Sequence, residues 1–158
     1  VTSIFFTEID LNPSGPTVVN DQYAAFGVHF ANHYLAEDYD FYPSDGRGLA
    51  ASINFIGQIT VDFTAPRTSA AADHTGALQL DLYLEGVLLG SSIRSGTSGS
   101  GFIGVLSDSP FDRMVIRNPS SSVPLLDNLH FGAPIPAPAG FAVLGLGLGA
   151  LRRRRRPR

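Results

Sequence analysis

The sequence predicts an all-β protein: a two-sheet antiparallel β-sandwich of jelly-roll-like layout, with a Pro-rich spacer and a short C-terminal hydrophobic helix behind it. Three observations carry this. In "ALQLDLYLEGVLLGSSI", Leu78, Leu80, Leu82 and Leu84 alternate with Gln79, Asp81, Tyr83 and Glu85, the period of a strand with one buried face. About eight short runs of this kind are separated by Gly, Pro, Ser and Asp, the punctuation of a sandwich or barrel. No stretch before residue 139 spaces its apolar residues as a capped helix would. A closed barrel is the alternative that strands alone do not separate from a sandwich.

The elements follow in order. "TSIFFTEID" (2–10) is rich in β-branched and aromatic residues, and "AAFGVHFAN" (24–32) reads as the next strand. In "INFIGQITVDFTAP" (53–66), Ile59, Val61 and Phe63 alternate with polar neighbours. "TSAAADHTGA" offers a short turn at most. Glu85–Gly86 is a two-residue hairpin turn between "ALQLDLYL" and "VLLGSS". "SGTSGSG" (95–101) is loop by composition, and "FIGVLS", "FDRMVIRN" and "LLDNLHFG" complete the set.

The length of 158 residues suits one domain with a core of ordinary size. Residues 1–132 form that domain, and 133–158 form a tail. The chain holds 11 arginines, no lysine and 14 acidic residues, for a formal charge of −3. Six arginines lie within 152–158, which leaves the body with five against 14 acids, or −9. An acidic body of this kind argues against general nucleic-acid binding, because phosphates need basic partners. The absence of cysteine removes disulfides, zinc–thiolate sites and thiol nucleophiles together. Val1 stands where a start methionine would, which fits a removed signal peptide or a fragment.

The tail reads "PIPAPAGFAVLGLGLGALRRRRRPR". Pro134, Pro136 and Pro138 make residues 133–138 a stiff, extended spacer. Residues 139–151, from before Gly140 and Phe141 to Leu151, are apolar and would span roughly 20 Å as a helix at about 1.5 Å per residue. A bilayer core is about 30 Å thick, so the span is marginal. Gly140, Gly145, Gly147 and Gly149 weaken it further. The block Arg152, Arg153, Arg154, Arg155 and Arg156 would stay cytoplasmic and stop translocation.

Pro136-Ala137-Pro138, a short Gly/Leu-rich segment and a terminal arginine cluster, in that order, resemble the PEP-CTERM sorting signal of Gram-negative bacteria. Ala137 stands where the family's motif has Glu. The resemblance implies an exosortase-type membrane enzyme as partner and transient anchoring in the inner membrane. It then implies release or transfer near residues 136–138 to the cell envelope or extracellular matrix. The body, through "QYAAFGVHF", "LDLYLEGVLLGSS" and "LLDNLHFG", resembles the β-sandwich ectodomains that precede such signals, which are similar in layout to carbohydrate-binding jelly rolls. A simple tail anchor is the alternative reading of the tail.

Two groups in the body invite chemistry. "AEDYDFYPSDGRG" (36–48) sets Asp38, Tyr39, Asp40 and Tyr42 in one loop. Its carboxylates suit Ca²⁺ and its rings suit sugar faces, although the spacing is not that of an EF-hand. The plainer reading is a solvated acidic loop. Glu8 and Asp127 fall in the first and last predicted strands. In the carbohydrate-binding jelly rolls that the body resembles, a structural Ca²⁺ often ties the first strand to the last, so the resemblance implies that, if those strands are neighbours here, the two carboxylates share such an ion with backbone carbonyls. The histidines (His29, His33, His74 and His130) are scattered and read as surface or turn residues. No nucleophile elbow, phosphate loop or dinucleotide motif is present. The body is therefore expected to bind polysaccharide without catalysis. A polysaccharide-active hydrolase and a purely structural matrix protein are the alternatives.

Overall fold

The structure, a computed structural model, describes residues 1–6, 9, 17–31, 33–37, 47–51, 57–94, 100–119 and 124–132. Among these are ten strands and no α-helix: β1 (Thr2–Ile4), β2 (Thr17–Val19), β3 (Val28–Phe30), β4 (His33–Glu37), β5 (Arg47–Ala50), β6 (Ile59–Thr75), β7 (Leu78–Leu84), β8 (Val87–Arg94), β9 (Ser100–Arg117) and β10 (Leu125–Phe131). Every pairing is antiparallel.

Two long strands make the sandwich. Ile59–Asp62 of β6 pairs with residues 113–116 of β9, whereas Ser69–Thr75 pairs with residues 100–106. Between these stretches the register breaks, and Pro66 and Pro110 lie in the breaks. Proline has no N–H for a ladder, and extra residues in a strand bend it. Each strand thus leaves one layer at this corner and enters the other. One layer runs β3-β6-β9-β7-β8; the second runs β2-β4-β5-β10-β6-β9, with β1 added alongside β10.

One apolar core fills the space between the layers. Leu78, Leu80, Leu82, Ile59, Val61, Met114 and Ile116 come from the first layer. Ile4, Leu35, Leu49, Leu126, Leu129 and Phe131 come from the second. The Phe63 ring lies 5.4 Å from that of Phe131 and 5.7 Å from that of Phe111, both edge-on. Arg67 closes the corner. Its buried guanidinium sits 5.1 Å from the Phe131 ring centre and 5.9 Å from that of Phe63. Its Nη1 donates to the Gly132 carbonyl at 3.2 Å. Burial lowers its pKa.

The sandwich class and the β7–β8 hairpin agree with the sequence. Glu85 (φ 50°) and Gly86 (φ 82°) both adopt positive φ, as the favoured two-residue hairpin turn requires. Other expectations need correction. Ala24–Phe26 is a 3₁₀ turn ended by Gly27 at φ 83°, so only Val28–Phe30 of that stretch is strand. "TSAAADHT" is not a turn but the second half of β6, paired with β10 on one side and β9 on the other, with Ala70 and Ala72 buried in the core. "FIGVLS" and "FDRMVIRN" are one bent strand. The strands β2, β4 and β5 were not anticipated.

The surface assignment of the histidines fails for two of the four: His33 and His74 are buried. His33 Nε2 accepts the Thr60 N–H at 2.8 Å and its Nδ1 donates to the Ala51 carbonyl at 3.1 Å. The ring therefore joins β4 in one layer to β6 where that strand runs in the other. Burial lowers its pKa, and its backbone hydrogen bonds oppose that shift.

Candidate functional site

The outer face of the second layer carries a trough. Its geometry follows from strand register. Ser3 pairs with His130, His130 with Ala71, and Ala71 with Gly104, so these four form one row across β1, β10, β6 and β9. On one side of it, Asp73 pairs with Phe102. On the other, Ser69 pairs with Leu106, and Gly132 N–H donates to the Ser69 carbonyl at 3.0 Å. The middle row is small at Ala71 and Gly104, while its neighbours are large at Phe102 and Leu106. Because side chains two apart on a strand share a face, Phe102, Gly104 and Leu106 rise and fall along β9 as wall, floor and wall.

The resulting cavity has a volume of about 590 Å³. Phe102, Leu106, His130, Ala71, Gly104 and Val1 are among its lining. Phe102 is 57% exposed and Leu106 88% exposed, large apolar groups left in water. A Cβ placed on Gly104 would lie 3.3 Å from the Phe102 ring and 3.4 Å from Ala71 Cβ. The missing side chain at 104 is thus what keeps the floor low.

Polar groups gather at one end. His130 Nδ1 and Ser3 Oγ are 2.8 Å apart. His130 Nε2 lies 3.5 Å from Asp73 Oδ2, which accepts the Asn128 amide N–H at 2.9 Å. Phe5, 45% exposed, meets the imidazole edge-on at 6.3 Å, and Phe102 lies 6.4 Å from it on the other side. The imidazole is held between two rings and two polar partners. Ser3, His130 and Asp73 share the composition of a nucleophilic triad, yet Ser3 lies within the β1–β10 ladder, with its backbone committed to strand pairing. The arrangement presents oriented donors and acceptors beside apolar walls. That combination characterises small-molecule sites, in which few polar groups fix orientation within a mostly apolar lining.

The sequence-derived candidates distribute differently. β1 and β10 are neighbours, as the shared-ion expectation required, and Asp127 is fully buried. It sits where β10 carries one residue more than β6, between Leu126 and Leu129. Glu8 lies outside the described residues, as do Asp38, Tyr39, Asp40 and Tyr42, the spacer with Pro136, Ala137 and Pro138, and residues 139–158. Strands β4 and β5, paired from Tyr34–Ala50 to Glu37–Arg47, flank that acidic loop. Among the described residues no three His, Asp or Glu side chains cluster as metal ligands.

Sequence reading missed the trough. "FIGVLS" has apolar residues at both parities, Ile103 and Val105 as well as Phe102 and Leu106, so the outward set cannot be told from the inward one. Ser3, Asp73 and His130 lie far apart in the chain and meet only through register.

No family model and no curated protein matches the chain. Solved structures of similar shape include GH31 CBM32-2 bound to GalNAc, 14% identical, with a TM-score of 0.43 over 75% of this chain and 99% of that one. CBM35 from Paenibacillus barcinonensis is 17% identical, with a TM-score of 0.41 over 75% and 98%. A family 6 carbohydrate-binding module is 16% identical, with a TM-score of 0.37 over 83% and 92%.

Proposed function

We propose that the body is a non-catalytic binding module for a polysaccharide, held in the trough between Phe102 and Leu106. The observation that carries this is the exposed aromatic wall beside a hydrogen-bonding end. Pyranose rings have apolar C–H faces that stack on aromatic rings and hydroxyls that need oriented partners. Phe102 supplies the first, and His130, held by Ser3, Asp73 and the Phe5 ring, supplies the second. Among the described residues that line the trough there is no arginine, so a neutral saccharide suits it better than an anionic one. A glycan array probed with the full chain tests this: saturable binding to neutral saccharides supports it, and no binding above background counts against it.

The tail belongs to the same proposal. The spacer starts just after Gly132, whose carbonyl and N–H are both held, by Arg67 and Ser69. Pro136-Ala137-Pro138 would be read by an exosortase-type enzyme, residues 139–151 would sit briefly in the inner membrane, and Arg152–Arg156 would set orientation. The module would then act in the envelope or extracellular matrix. Intact mass of the protein from its native host tests the sorting step. Loss of about the last 20 residues supports it, and a retained arginine tail indicates a simple anchor.

A further inference from the structure

We propose that the trough takes the interior of an extended, neutral β-1,4-linked glycan, about three sugars at a time, with the chain running across the strands and out at both ends. This rests on the saccharide reading of the trough and adds the linkage, the direction and the number of sugars. The row Ser3, His130, Ala71 and Gly104 crosses four strands. Four strands at a spacing of about 4.8 Å span roughly 14 Å. The cavity lining reaches across the same strands, from Val1, next to β1, to Leu106 on β9. A β-1,4-linked chain with equatorial bonds is a nearly straight ribbon that advances roughly 5 Å per sugar, close to one strand spacing. Chains linked α-1,4 or β-1,3 coil instead. The row therefore matches three sugars of the ribbon form.

Both ends of the row are open. Among the described residues β1 pairs with β10 alone, and residues 100–106 of β9 pair with β6 alone. The residues at the two ends are small: Gly104 has no side chain, and the Ser3 hydroxyl lies 2.8 Å from His130 Nδ1. A site for a chain terminus needs a wall that stops the chain, and the described residues build none here. The β9 end also carries hydrogen-bonding groups. Gly132 N–H donates to the Ser69 carbonyl, so Ser69, Ala71 and Asp73 turn their backbone groups toward β10. Gly104, opposite Ala71, therefore turns its own N–H and carbonyl away from β6, to the open edge. The Phe102 carbonyl, two residues along, has the same direction: Arg94 Nη1 of β8 donates to it at 2.9 Å. Phe102 and Leu106 stand on either side of Gly104, so the sugar that crosses the β9 edge meets apolar walls and backbone hydrogen bonds together.

Isothermal titration of the full chain with cello-, manno- and malto-oligosaccharides of one to six units tests this. In the cello- or manno- series, affinity is expected to rise at least about tenfold from one sugar to three, and to change less than about twofold beyond that. Reducing the terminal aldehyde of the hexasaccharide to an alditol should leave its affinity within about twofold. Leu106→Ser alters a side chain that is 88% exposed. It should weaken binding of the trisaccharide about fivefold, with the melting temperature kept. Full affinity for a single sugar, affinity still climbing past three, loss on reduction of the aldehyde, preference for the malto- series, or an unchanged Leu106→Ser variant each overturns the proposal while leaving saccharide binding in place. So does binding confined to branched or α-linked glycans on the array. Absence of binding to any glycan on the array removes the saccharide reading itself, and this proposal with it.

Discussion

His33 and Thr60 are hydrogen-bonded across the sandwich: the Thr60 N–H donates 2.8 Å to Nε2 of a buried imidazole whose Nδ1 donates to the Ala51 carbonyl. The ring can serve both only when neutral. Its pKa in the fold is lowered by burial from an unfolded value of about 6.5. The unfolded chain therefore binds the proton more readily. This contribution to stability is complete above about pH 6.5 and falls as the pH drops below it. Urea unfolding between pH 8 and pH 5 should show decreasing stability, with a shallower slope in His33→Gln; equal slopes would contradict this role. His33→Ala, which leaves the Thr60 N–H and the Ala51 carbonyl unpaired, should cost about 2 kcal/mol or more.

Phe102→Ala removes one wall of the trough. Its ring is more than half exposed, so thermal stability should stay within about 0.5 kcal/mol of the original. Saccharide affinity should fall about tenfold, corresponding to roughly 1.4 kcal/mol. Isothermal titration beside a thermal melt separates the two. Unchanged affinity would remove Phe102 from the site.

Phe131→Ala should be among the most damaging single changes. The ring is buried, packs against Phe63 and carries the Arg67 guanidinium. Truncation should cost about 3–5 kcal/mol, read as a shift in the urea midpoint. A loss under about 1 kcal/mol would mean that the corner is not the joint between layers.

Glu85→Asp should stabilise the β7–β8 hairpin by about 0.5 kcal/mol, because Asp-Gly tolerates the two positive φ angles better than Glu-Gly. The charge is kept, so a change in melting temperature reports the turn. A decrease would show that the Glu85 side chain has a role beyond the turn.

The parts of the fold legible in the sequence are those where one strand buries one face. Leu78, Leu80 and Leu82 on β7 alternate with polar neighbours, and the turn at Glu85–Gly86 is local chemistry. The illegible parts depend on long-range register. The alanines of "TSAAADHT" carry no local strand signal, and the segment is strand because it pairs with β10 on one side and β9 on the other. His33 has no local signal for burial, since its partners are 18 and 27 residues away. Gly104 reads as an ordinary strand glycine until Phe102 and Ala71 are placed around it. Near the site the sequence anticipates the neighbouring of the first and last strands, and the candidate carboxylate there, Asp127, is fully buried in the bulge of β10 and is not part of the trough lining.

Gly104→Leu tests the central claim most directly. The substitution fills the trough floor between Phe102 and Ala71 while leaving the buried face of β9 untouched. Affinity for the saccharide bound by the original chain should be lost in a protein that still folds, because the ring edge 3.3 Å from the new Cβ belongs to the exposed Phe102, which can turn aside. Full affinity in a folded Gly104→Leu protein would place saccharide binding elsewhere on the molecule.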